Sequence, residues 1–364
     1  MTRCRIFISV ICAALSLTAM HAQAVQLDEA AAAGTAADAS GDRVDVQGIL
    51  FGHINDSYWW HVTDIGDKSI VIPLPVILHS RATGWHCFMS TRLEDGGRYR
   101  GFYVAGEGKY ADKIVEEAPD GTQIRPFDIS VTKNVFALML NSALLVVLVL
   151  CCARWYRRHD AAEEVPTGIA GILEPVIMMV NDDVIKDAIG KDYRRYSPYL
   201  LTVFFFILVN NLMGIVPFFP GGANVTGNIA ITFVLAMCTF IAVNVFGNRH
   251  YWKDILWPDV PLWLKVPLPV MPLIEIFGIF TKPLSLMVRL FANIMAGHAV
   301  ILSLVCIVFI TAKLGPVMNG SMTLIAVLFG VFMDFLELLV AFIQAYIFTM
   351  LSAVFIGLSR QEAE

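Results

Sequence analysis

Long apolar runs occupy the C-terminal part of the chain, at 135–152, 200–217, 229–246, about 273–312 and about 321–358, with polar or Pro/Gly-rich segments between them. Runs of this length predict membrane helices. The first three suit a single crossing. The last two exceed the roughly 20 residues that cross upright, so each must tilt, kink or lie partly in the membrane plane. Pro267, Pro269 and Pro272 break the chain ahead of the first long run, and Glu275 with the Lys282-Pro283 pair marks an expected kink within it. Between the spans, 168–190 (GIAGILEPVIMMVNDDVIKDAIG) is too acidic to cross and predicts a helix lying on the cytoplasmic face. PFFPGGANVTGN predicts a turn on the outer side, and GNRHYWKDILWPDVPLWLK a polar, Trp-rich loop at the cytoplasmic interface.

Ahead of residue 128 the pattern changes. Alternating, β-branched runs at 58–63, 69–78, 85–89 and 99–104 predict strands. Asp64-Ile65-Gly66-Asp67 and Glu94-Asp95-Gly96-Gly97 supply turn signals between them. Residues 25–46 are rich in Ala, Asp and Gly and read as a flexible linker. Residues 1–24 have the form of a signal peptide: Arg3 and Arg5, an apolar core over 6–19, and the small-x-small site Ala22-Gln23-Ala24. An uncleaved anchor is the alternative. The division expected is signal peptide 1–24, linker 25–46, β-rich exported segment 47–127 and membrane domain 128–364. The fold class expected is an all-α polytopic membrane protein of about five to six membrane helices, two of them long, tilted and C-terminal, with a small β-rich exported segment.

Composition agrees. The chain of 364 residues is 57% hydrophobic and 16% charged, with mean hydropathy +0.66. A soluble domain carries about 25% charged residues. Arg154, Arg157 and Arg158 directly follow the first span, which puts 153–197 on the cytoplasmic side and the preceding segment outside. No basic patch with interleaved aromatics points to nucleic acid. Cys4 and Cys12 fall in the signal, and Cys151, Cys152, Cys238 and Cys306 lie in or beside apolar runs. Cys87 alone belongs to the exported segment, so no intrachain disulfide framework is expected there. His53, His61, His79 and His86 have no tight metal-ligand spacing, and ordinary sheet histidines are expected.

The chemistry concentrates in the two long runs. Arg289 is the only formal charge between Lys282 and His298. An Arg near the centre of a spanning helix costs about 2.5–3.5 kcal/mol and keeps its proton, so it needs a carboxylate, a polar cavity or water. An ion pathway is the default reading, and an Arg snorkelling to the headgroups is the alternative. Asn293 and His298 are its polar companions. Asp334, Glu337 and Gln344 interrupt the last run. Glu337 and Gln344 are seven residues apart and share a helix face. His298 follows Arg289 by nine residues, so one antiparallel register sets His298 opposite Glu337 and Arg289 opposite Gln344. The same nine residues put Arg289 and His298 on opposite faces of their helix. His and carboxylate exchange protons near neutral pH, while Arg supplies a fixed positive field. Nucleotide-binding loops, nucleophile triads and clustered metal ligands are not evident, so no cofactor or metal is expected.

NLMGIVP (211–217), KPLSLMVRLFANIMAGH (282–298) and QAYIFTMLSAVFIG (344–357) resemble, in order, three signatures of subunit a of the F-type ATP synthase, over roughly 127–358. The resemblance implies a non-catalytic, stationary channel subunit. It would carry protons through two half-channels beside a rotating c-ring, with b-type stator subunits and the rest of the synthase as partners in the bilayer. It assigns Arg289 to the essential arginine, and Glu275, Asn293, His298, Glu337 and Gln344 to the half-channels. His298 with Glu337 is one of the family's two arrangements of a coupled His and Glu. The segment 25–126 is the departure from many members. A sodium-translocating version, an unrelated secondary transporter with an Arg–His–Glu site and an intramembrane protease are the other readings. The transporter would usually show inverted repeats, which are not evident, and the protease needs an HExxH-type metal pair, which is absent from the sequence.

Overall fold

The computed structural model describes residues 56–65, 68–81, 83–106, 110–117, 122–159, 164–216, 221–256, 270–311 and 315–360. The expected signal peptide and linker lie outside them. Strands come first: β1 Trp59–Ile65, β2 Lys68–Pro73, β3 Pro75–Ser80, β4 Gly84–Met89, β5 Phe102–Val104, β6 Ile114–Glu117, β7 Gln123–Ile124 and β8 Phe127–Asp128. They form a β1-β2 hairpin and two three-stranded antiparallel sheets ordered β4-β3-β8 and β5-β6-β7. Val76, Leu78, Phe88, Leu93, Phe102 and Ile114 fill a small core. Tyr58 closes it by donating to Asp128 Oδ2 at 2.5 Å. Burial first, and the Asp128 charge second, push its phenol well above the ordinary tyrosine range, so it stays a donor.

The run 69–78 divides at Leu74. That residue turns its backbone out of the ladder to pair with Ser90, and strands β2 and β3 then enter different sheets. The run 99–104 also divides. Tyr99 and Phe102 exchange both backbone hydrogen bonds around Arg100 and Gly101, which have φ of 53° and 87°. This is the two-residue hairpin turn that needs positive φ at both central positions. In place of the turn expected at 94–97, a 3₁₀ helix runs Ser90–Gly96.

Helices follow: α1 Lys133–Arg158, α2 Ile169–Met178, α3 Asp187–Ile189, α4 Tyr193–Ile215, α5 Ile229–Val245, α6 Arg249–Leu256, α7 Val270–Thr311 and α8 Pro316–Arg360. A π-helical stretch, Met179–Lys186, links α2 to α3 and buries Val180, Val184 and Ile185. Four helical stretches are long and apolar enough to cross a membrane: Lys133–Arg158, Ile169–Ile215, Leu273–Val308 and Val317–Arg360. The shorter apolar α5 has 17 residues. Two boundaries differ from expectation. Helix α4 starts before Pro198, whose missing N–H falls in the second turn and removes a single ladder bond. The segment expected as a loop contains α6, where Tyr251 packs on Gly247 and Ile255 is buried. Helix α7 continues through Pro283.

The strand segment is fastened to the bundle. Trp60 is 3% exposed, meets Phe136 of α1 edge-on at 6.0 Å, and belongs to the same core as Phe204, Leu235 and Phe348. The N-cap residue of α1, Thr132, makes no side-chain cap of its own. Asp56 supplies it: its carboxylate accepts from Asn134 N at 3.0 Å and Thr132 Oγ1 at 2.7 Å, while Ser57 O accepts from Lys133 N. These bonds satisfy free N–H groups of the first turn, and the negative charge suits the positive end of the helix.

A candidate ion path between α7 and α8

Helices α7 and α8 pack together, with α4 and α5 behind them. On α7, Leu286, Leu290 and Ile294 are buried at four-residue spacing, and His298 continues that ridge inward. The opposite ridge, Ser285, Val288, Arg289, Ala292, Ala296 and Val300, is exposed. Arg289 therefore stands on an outward face beside small residues. Among the described residues it makes no hydrogen bond or ion pair.

His298 Nδ1 lies 3.3 Å from Glu337 Oε1. The Glu337 side chain is 6% exposed and that of His298 19%. Neither carboxyl oxygen of Glu337 has an aligned hydrogen-bond partner among the described residues, so this is a close imidazole–carboxyl contact and not a directed hydrogen bond. The approach depends on glycine. A methyl at Gly297 would lie 2.9 Å from Glu337 Oε1, and one at Gly214 of α4 would lie 3.8 Å from His298 Nε2. Three helices thus meet at the pair.

The second expected pair does not form. Gln344 is buried at 5% exposure, Arg289 is exposed, and no hydrogen bond joins them. The two residues occupy different faces of the α7–α8 contact. At the far end of the same contact, Lys282 Nζ sits 5.6 Å over the Phe355 ring, in keeping with the antiparallel register. Asn293 and Glu275 are partly buried. Glu275 lies within electrostatic reach of Tyr251 of α6, whose hydroxyl donates to Asn244 Oδ1 at 3.2 Å. Burial, then the Glu275 charge, raise the Tyr251 phenol above its ordinary range.

Asn211, the first residue of the 211–217 motif, and its neighbour Asn210 act as cross-helix ties. Asn211 accepts from Thr226 Oγ1 at 2.7 Å and donates to the α8 carbonyl of Ala341 at 3.4 Å, while Asn210 accepts from Asn141 of α1 at 3.0 Å. Nearer the other end, Thr239 of α5 meets both Tyr199 of α4 and Ser352 of α8 through hydroxyl contacts of 3.1 and 3.2 Å. Asn141, Thr226 and Thr239 carried no signal in the sequence, because a hydroxyl or amide in an apolar run reveals its partner only once the helices are packed. Two histidines of the strand segment are described with their neighbours. His79 is edge-on to Trp85, and His86 Nε2 is 2.7 Å from Thr83 Oγ1. His53 and the side chain of His61 lie outside the described residues.

The family model described as ATP synthase A chain matches residues 138–357. The chain belongs to this family. It is accordingly a multi-pass membrane protein. ATP synthase subunit a 2 of Chlorobaculum tepidum is 41% identical over 251 residues, which cover 66% of this chain and 66% of that protein. ATP synthase subunit a of Chloroherpeton thalassium is 39% identical over 244 residues, covering 65% and 68%, and that of Myxococcus xanthus 41% identical over 251, covering 67% and 77%. The chain thus spans just under two thirds of the Chlorobaculum relative's length. A second family model, described as a domain of unknown function (DUF8433), matches residues 49–132.

Proposed function

We propose that this chain is the stationary proton-translocating subunit of an ATP synthase membrane sector. It conducts protons through two half-channels that open against a rotating c-ring. Membership of the family ties the chain to ATP synthesis, ion transport and the membrane, within a complex of other synthase subunits. The observation that carries the finer reading is the separation of polar groups on α7: Arg289 is exposed on an outward face of small residues, while His298 turns inward to the buried Glu337.

A permanent cation at the outward face favours the ionised form of any carboxylic acid that approaches it, so an incoming proton carrier releases its proton there. Arg289 does not carry that proton onward, because guanidinium does not deprotonate in proteins. Ser285, Ala292 and Ala296 leave room for a partner helix to come close. The His298–Glu337 pair, with Gln344, lines one half-channel in this reading, and Glu275 and Asn293 line the other approach. The chain performs no bond-making chemistry of its own. Partners are the c-ring, b-type stator subunits and the remaining synthase subunits. The proposed location is the bacterial inner membrane, with 153–197 on the cytoplasmic side and the strand segment exported after a signal at 1–24. In this division a linker at 25–46 precedes the exported 47–127, and 128–364 forms the channel domain.

The reading is tested by ATP-driven pumping of the reconstituted complex with and without sodium ions. Proton uptake independent of sodium supports it. Strict dependence on sodium with no proton movement would replace the proton by sodium. Transport by this chain alone would point to a secondary transporter.

A further inference from the structure

Asp334 is an acidic residue of α8 to which the path above gives no part. It lies one helical turn before Glu337 and is exposed, whereas Glu337 is buried. Val331, Phe332, Phe335 and Leu338 around it are exposed and apolar. Among the described residues Asp334 has no hydrogen bond or ion pair. An Asp facing acyl chains at the centre of a span is penalised by about 2.5–3.5 kcal/mol, so such residues face a wet cavity or a partner group.

Two observations favour a wet approach. Glu337 is more than nine-tenths buried, lies within electrostatic reach of Asp334, and leaves both carboxyl oxygens without an aligned partner among the described residues. Buried carboxylate oxygens are costly when unpaired, so water or a transferred proton must reach them from some side. On the other side of Asp334, one turn closer to the Pro316 end, a methyl at Gly330 would meet nothing within 4 Å. Gly330, Asp334 and Glu337 follow one another at spacings of four and three residues, along one stripe of the helix.

We infer that Asp334 is a relay carboxylate on the approach to the His298–Glu337 pair. A hydronium ion arriving from the Pro316 end protonates the Asp334 carboxylate and leaves as water. The proton then passes through a hydrogen-bonded water to the pair, and Asp334 returns to carboxylate. This inference rests on the proposed translocation function.

The test uses the whole synthase in vesicles, with Asp334→Asn, Asp334→Glu and, as a reference, Glu337→Gln. The readout is gradient-driven ATP synthesis per assembled complex, at two acidities of the compartment that faces the α7–α8 connection. Asp334→Asn should lower the rate severalfold at unchanged complex content, and by less at the higher acidity, where protons reach the pair without the relay. Asp334→Glu should restore most of the rate. A wild-type rate in Asp334→Asn alongside a severe loss in Glu337→Gln would overturn the relay and leave the translocation function standing. Equal losses in Asp334→Asn and Asp334→Glu, insensitive to acidity, would also overturn it by assigning Asp334 to packing or to a partner contact. A wild-type rate in Glu337→Gln would instead overturn the translocation function on which the relay depends.

Discussion

His298 and Glu337, on two antiparallel helices, approach to 3.3 Å between Nδ1 and Oε1 in the buried part of the α7–α8 contact. Neither oxygen of the Glu337 carboxyl group has an aligned hydrogen-bond partner among the described residues, so His298 is its nearest polar neighbour given by the structure. The two groups should therefore act as a unit. Replacing either by Ala should slow transport. The exchange of His298→Glu with Glu337→His should recover part of the loss, because the same two groups remain in contact. Strictly additive losses without rescue, measured as pumping per complex in a double-mutant cycle, would argue that they serve separate routes.

Gly297 sets how close Glu337 comes to α7. A methyl there, 2.9 Å from Oε1, forces the tip of a flexible side chain to move while the backbone stays in place. Gly297→Ala should leave thermal stability within about 1 kcal/mol of wild type, as for a substitution that a side chain can absorb. Transport should fall by a larger factor than stability does. A large loss of stability with normal transport in the surviving complex would show that the glycine serves packing alone.

Gly357 of α8 is a different case. A methyl there would overlap the backbone carbonyl of Ala188 in α3, which has no rotamer to escape into. Gly357→Ala should destabilise the subunit by about 1–3 kcal/mol, the usual range for overpacking. Thermal unfolding of the purified complex measures it, and an unchanged midpoint would mean that α3 slides to accommodate the methyl.

The apolar spans were legible because length and hydropathy decide them, whatever their neighbours. That Arg289 and His298 lie on opposite faces of α7 was legible too, since nine residues reverse the face of a helix. Other features depend on packing that a sequence does not display. Helix α6 looked like a loop because its polar residues hide the contact of Tyr251 with Gly247. The divide between β2 and β3 at Leu74 sits inside one unbroken alternating run, and only the Ser90 partner reveals it. Arg289 and Gln344 satisfy the register in number, yet Gln344 turns inward and Arg289 outward, a matter of helix rotation that residue spacing does not fix.

Trp60 and Asp56 join the strand segment to the bundle. Trp60→Ala opens a cavity beside Phe136 and should cost about 3–5 kcal/mol. Asp56→Ala removes the borrowed cap of α1 and should cost about 1 kcal/mol. Deleting 47–127 after a retained signal should reduce the yield of complex while leaving pumping per assembled complex close to wild type, because the segment holds no residue of the path. Complete loss of pumping in fully assembled complexes would show that it gates the outer half-channel.

The central claim is that the exposed cation of α7, Arg289, separates two half-channels. ATP-driven proton pumping by reconstituted complexes carrying Arg289→Ala tests it most directly. Assembly should be retained and coupled pumping abolished. Arg289→Lys should fail almost as completely, since a lysine is a compact point charge that can lose its proton in a dry site. Pumping at the wild-type rate by fully assembled Arg289→Ala complexes would contradict the account.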